Sequence, residues 1–179
     1  MKKIFIDGPE ILRGGGGHVF EIPQMRFIRY KRICEYYRGR SKILYAFYYF
    51  IYDHLKIKYG IDLPVQTIVG EGFLIEHING IVINPAVIIG NNCNIYNGVT
   101  IGTEKRGKRK GNPCIGNCVW IGANSIIVGN IKIGDDVMIA PGSFVNFDVP
   151  AHSIVMGNPG KIITKENATG GYIKNKVGD

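Results

Sequence analysis

Along residues 65–149 the aliphatic positions keep a six-residue rhythm. Val69, Ile75 and Ile81 form one run. Ile89, Ile95 and Ile101 form a second, and Ile115, Ile121, Ile127, Ile133, Ile139 and Val145 a third. A glycine or alanine often follows, as at Val69-Gly70, Ile101-Gly102 and Ile139-Ala140. A second series lies two residues earlier and includes Val87, Cys93, Val99, Val119, Ser125, Ile131, Val137 and Ser143. This spacing matches neither the period of a helix nor plain strand alternation. It fits a short strand plus a turn, repeated, with three units closing a triangular coil and successive coils stacking as parallel β. The pattern predicts a mainly β chain built on a parallel β-helix.

The rhythm breaks twice. Two extra residues fall between Ile81 and Ile89, and we place them near Asn84-Pro85. Eight more fall between Ile101 and Ile115, so residues 103–113 (TEKRGKRKGNP) leave the coil as a loop with five basic side chains. Insertions in solenoids go outward and often carry function.

Residues 1–60 have a different grammar. After the Gly14–Gly17 run, apolar residues recur at helical spacing from Pro23 to Tyr37. Gly39 ends that helix, and Ser41 caps a second one that runs to Gly60. The expected domains are a helical module over 1–60, a coil over 61–163 and a tail over 164–179. Leu44, Phe47, Phe50 and Ile51 are expected to pack the second helix against the coil, the usual use of an apolar face. The alternative is peripheral contact of these basic, aromatic helices with an anionic membrane surface.

Composition changes this picture little. The chain has 179 residues, 45% hydrophobic and 20% charged, which suits a globular domain rather than disorder. A net charge of +8 suits a phosphate-bearing ligand, a membrane surface or simple solubility. No nucleic-acid-binding module accompanies it, so nucleic acid is not an expected partner. The four cysteines make no CxxC pair and read as thiols in a reducing compartment. The opening MKKIFIDGPEILRGGGG is a poor signal peptide, and a cytoplasmic location is expected.

Candidate chemistry centres on one histidine. His18 lies in the leader, His54 in the second helix and His152 after the last coil. His77 alone lies inside the coil, beside Glu76. A histidine suits proton transfer near neutral pH. One coil histidine is too few for a zinc hydratase site, so no metal is expected. Asp62 lies fifteen residues before His77, nearly one turn of the coil, and is the natural partner for its imidazole.

These features together resemble a known family. The motifs are Tyr59-Gly60-Ile61-Asp62, Gly72-Phe73-Leu74-Ile75-Glu76-His77, Asn97-Gly98-Val99-Thr100-Ile101-Gly102, Val119-Trp120-Ile121-Gly122-Ala123 and Gly157-Asn158-Pro159-Gly160-Lys161. Over residues 58–163 the chain resembles the left-handed β-helix acyltransferases with hexapeptide repeats. It is most similar to serine acetyltransferases and their shorter relatives in surface-polysaccharide gene clusters. The resemblance implies an acetyl-CoA-dependent O-acetyltransferase and a homotrimer with the site between subunits. It implies His77 as base and Asp62 as its partner, with Glu76, Asn97 and Asn112 near the acceptor. Gly102, Thr103, Ala123 and Pro141 would follow the pantetheine arm of acetyl-CoA, and Lys161 and Lys165 its phosphates. The family carries an Arg-His pair before the proline that ends the loop. Here Gly111 and Asn112 precede Pro113, without charge. That departure moves the expected acceptor from serine to a larger neutral hydroxyl, a sugar of a surface polysaccharide or its precursor, with serine second. A non-catalytic binding or scaffold coil is the alternative of another class.

Overall fold

The computed structural model describes residues 22–174 and 176–178. The Gly14–Gly17 run, His18 and the signal-peptide reading lie outside them. Two helices come first, α1 (Pro23–Tyr37) and α2 (Lys42–Tyr59). The Ser41 side chain accepts the Leu44 N–H at 3.3 Å, satisfying a free donor of the first turn of α2. Gly60 ends that helix with φ +61°, the left-handed conformation glycine adopts cheaply.

The rest is a left-handed parallel β-helix of about five turns. Its three faces are short-stranded parallel sheets. One holds β1 (Ile61–Asp62), β4 (Ile81–Ile83), β7 (Thr100–Gly102), β10 (Ile126–Val128) and β13 (Phe144–Val145). The second holds β2 (Ile68–Val69), β5 (Ile88–Ile89), β8 (Cys114–Ile115) and β11 (Lys132–Ile133). The third holds β3 (Leu74–Ile75), β6 (Asn94–Ile95), β9 (Trp120–Ile121), β12 (Val137–Ile139) and β14 (Ser153–Met156), with β15 (Lys161–Thr164) added antiparallel at its end. The isoleucines of the six-residue series point inward. Ile95, Ile101, Ile121, Ile127 and Ile139 are fully buried, each contributing about 1.5–3 kcal/mol by leaving water.

The pairing corrects the first break in register. Ile61 pairs with Ile81, Ile68 with Ile88 and Ile75 with Ile95, each twenty residues on. Val82 pairs with Thr100 and Ile83 with Ile101, eighteen on. The two extra residues therefore lie between Ile75 and Ile83, at the corner His77-Ile78-Asn79-Gly80, and not at Asn84-Pro85. The sequence misled because Ile81 and Ile83 are both inward and buried. A six-residue step from Ile75 lands on Ile81, although Ile83 is the register partner of Ile101.

Packing of α2 also differs from expectation. It meets the coil through Tyr52, Leu55 and Tyr59, all buried, and the Tyr52 hydroxyl donates to the Leu63 carbonyl. Leu44, Phe47 and Phe50 face outward instead, and only Ile51 of the expected four lies partly buried against the core. The helix is apolar around most of its circumference, so periodicity alone could not choose the packed side. Helices and coil share one hydrophobic core that runs from Phe27 to Val155.

Candidate active site

The inserted corner sets the local geometry. Asn79 and Gly80 take φ +81° and +74°, which swings the chain outward before β4. The bulge rests on the end of α2: the Asn79 N–H donates to Tyr59 O at 2.9 Å and the Ile81 N–H to Gly60 O at 3.2 Å. Gly60 has little room for a side chain, since a Cβ there would lie 3.2 Å from the Asn79 Cα. His77 opens this corner and is exposed. Its ring meets Tyr96 edge-on, with centroids 5.5 Å apart and planes at 75°. Tyr96 in turn contacts Trp120 at 5.0 Å, and Trp120 contacts Tyr172 at 4.9 Å. Sequence reasoning quoted Trp120 within a motif and missed Tyr96 and Tyr172. A signal for Tyr96 was present, because it follows the inward Ile95 one coil above Glu76.

Asp62 lies on β1, one coil below, at the foot of the same corner. Its carboxylate is engaged elsewhere: Lys56 Nζ lies 3.1 Å from Asp62 Oδ1 and 3.7 Å from Asp53 Oδ1. Partial burial works to lower the Lys56 pKa, but the hydrogen bond and charge of Asp62 outweigh it and hold the ammonium above its usual range. No hydrogen bond joins Asp62 to His77 among the described residues. The spacing placed the two residues on one corner but could not foresee a lysine arriving from the last turn of α2. Glu76 is half-buried, and Asn94 Nδ2 donates to its Oε1 at 3.3 Å.

The remaining candidates divide between two corners. Asn97, Ala123 and Pro141 stack above His77 on successive coils. The Asn124 N–H donates to Asn97 O at 3.0 Å and the Gly142 N–H to Ala123 O at 2.9 Å. Gly102, Thr103 and Asn112 lie at the far end of β7, where the Thr103 hydroxyl donates to Asn112 Oδ1. Lys161 begins β15, paired with Met156, and is exposed. Lys165 follows the opposite end of β15, with its N–H on His152 O at 2.8 Å. One chain therefore brings His77, Asn97, Ala123 and Pro141 together but does not bring them to Gly102, Thr103 and Asn112.

The basic loop is folded back on the coil. Glu104 and Gly111 exchange backbone hydrogen bonds at 3.0 and 2.9 Å, and Arg109 donates to the Asn146 carbonyl. Lys105, Arg106, Lys108 and Lys110 remain exposed. The tail is fastened by Asp136, which accepts from Ala168 N at 2.9 Å, Thr169 N at 3.0 Å and Thr169 Oγ1 at 2.7 Å and faces His152 Nδ1 at 2.9 Å. Partial burial opposes ionisation of Asp136, yet these hydrogen bonds hold its pKa down at about 2. Val177 exchanges hydrogen bonds with Asn92 two coils lower, so the tail straps the coil beside the aromatic row.

Known proteins share this architecture. The family described as bacterial transferase hexapeptide (six repeats) matches residues 115–146. The serine acetyltransferase of Neisseria gonorrhoeae, solved in complex with serine, superposes with TM-score 0.75 and 31% identity over 91% of this chain and 68% of its own. The chain belongs to the hexapeptide-repeat transferases. Serine acetyltransferase 2 of Arabidopsis thaliana is 44% identical over 105 residues, 59% of this chain. The chain spans only 32% of the length of that relative. The serine acetyltransferase of Brucella abortus, solved with coenzyme A, superposes with TM-score 0.71 and 27% identity over 82% of this chain and 58% of its own.

Proposed function

We propose that this hexapeptide-repeat protein is an acetyl-CoA-dependent O-acetyltransferase with His77 as general base. The observation that carries the reading is the corner itself. The coil departs from its eighteen-residue repeat at the corner that presents an exposed histidine. The coenzyme A complex of the Brucella relative supports acetyl-CoA as donor. In the reaction His77 takes the proton of the acceptor hydroxyl as its oxygen attacks the thioester carbon. The C–S bond then breaks, and the imidazolium returns the proton to the departing thiolate of coenzyme A. Asp62 orients and stabilises the imidazolium after leaving Lys56. Small residues at Ala123 and Gly142 leave backbone open to the pantetheine arm, and Lys161 supplies a point charge for a phosphate.

A trimer is part of the proposal. Within one chain Gly102, Thr103 and Asn112 lie a strand away from His77, and a neighbouring subunit can supply them. Ile68 and Ile88 on one sheet and Val82 and Ile126 on another are outward yet apolar, 40–60% exposed in the single chain, as surfaces meant for a neighbour are.

L-serine is the better-supported acceptor. The relatives matched here are named serine acetyltransferases, and the Neisseria structure contains serine. This reverses the order expected from the loop. One observation keeps the sugar hydroxyl as a second reading: Gly111 and Asn112 carry no charge for a carboxylate, and Asn112 is already bonded to Thr103. A thiol-release assay with L-serine and a sugar panel side by side separates them. Turnover of serine above every sugar is expected, and turnover of a sugar alone would install the second reading.

A further inference from the structure

The helical module carries a surface that the coil chemistry does not use. Ile43, Phe47, Phe50 and Ile57 lie on one stripe of α2 and are 83%, 59%, 78% and 80% exposed. The stripe extends about 21 Å along the helix. Four large apolar side chains on one face, this exposed and interrupted only by the exposed His54 between Phe50 and Ile57, exceed the scattered exposure that soluble surfaces tolerate. The buried side of α2 already serves the core, so this face is left over.

Charge indicates what covers it. Residues 23–60 contain nine basic and two acidic residues; Lys31 and Arg32 are buried against the coil beside Glu35, and the other seven bases reach the surface. Arg38, Arg40 and Lys42 are exposed at the start of the stripe, and Lys58 is exposed beside its end. Two copies meeting through this face would bring the exposed cations of one near those of the other. An anionic surface would be attracted by the same charges. No described helix is long and apolar enough to cross a membrane, which leaves an orientation in the interfacial plane. From these observations we infer that α2 docks on an anionic lipid bilayer, with Ile43, Phe47, Phe50 and Ile57 at the acyl boundary and the flanking cations at the headgroups.

The test is co-sedimentation of the full chain with phosphatidylcholine vesicles made with and without phosphatidylglycerol. Binding to the anionic vesicles should exceed binding to the neutral ones by about tenfold and fall with added salt. The double variant Phe47→Ser/Phe50→Ser changes only exposed side chains. It should lose about tenfold in binding while its circular dichroism stays that of the parent. Equal binding to both vesicle types, or an unchanged double variant, overturns the proposal. So does a lipid-free assembly, seen in sedimentation, that the double variant dissolves, because the stripe would then join copies of this chain.

Discussion

At the residue scale, proton transfer and the hold on the tail both depend on what surrounds two carboxylates. Asp62 is held by Lys56, and the proposed mechanism requires it to turn to His77. Asp62→Asn should lower turnover by about 10²–10⁴-fold, the range for losing a partner of a general base, while the melting curve stays near that of the parent. Steady-state kinetics beside a thermal melt checks this. Asp136 makes a different prediction. Its folded pKa is lowered from 3.8 to about 2, so the stability it gives the tail is present above pH 3.8 and is lost as pH falls through about 2. His152 works in the opposite sense. The Asp136 hydrogen bond raises its folded pKa above 6.5, so its contribution is complete below 6.5 and is lost as pH rises through the folded value. The tail should be held best between about pH 4 and 6.5. Protection of the Ala168 and Thr169 amides, relative to their intrinsic exchange at each pH, should be greatest in that window, and Asp136→Asn should lower it throughout.

At the scale of elements, the sequence disclosed most of the coil because its period is fixed by geometry. Each sheet position needs an inward aliphatic, and the chain states that at Ile115, Ile121, Ile127 and Ile133 without ambiguity. The helix ends were equally legible, since Ser41 and Gly60 have the chemistry of caps. What stayed hidden were choices among equivalent apolar residues: which side of α2 is buried, and whether Ile81 or Ile83 carries the register. The contact of Lys56 with Asp62 was hidden because it joins a helix to a strand. Deleting Ile78 and Asn79 turns Glu76-His77-Gly80-Ile81 into the equivalent of the next corner, Tyr96-Asn97-Gly98-Val99. The shortened chain should melt within about 5 °C of the parent, yet transfer no acetyl group. Retained transfer would detach function from the bulge. In the coil interior, Ile121→Ala should cost about 2–5 kcal/mol in denaturant unfolding, because the stacked neighbours cannot collapse onto the void.

At the scale of the whole molecule, the coil is a rigid ruler that stacks one corner of candidate residues above another, and the helices brace the corner that departs from the repeat. Relatives solved with coenzyme A and with serine support the proposed donor and acceptor, and the uncharged Gly111-Asn112 pair makes the acceptor the point to compare. The claim that joins these levels is that His77 takes the proton of that acceptor. Its most direct test is release of coenzyme A thiol from acetyl-CoA, measured for the parent and for His77→Ala with L-serine and with sugars. The parent should turn over an acceptor, and His77→Ala, folded and still stabilised by acetyl-CoA, should be slower by about 10²–10⁴-fold. Equal rates for the two proteins would contradict the account.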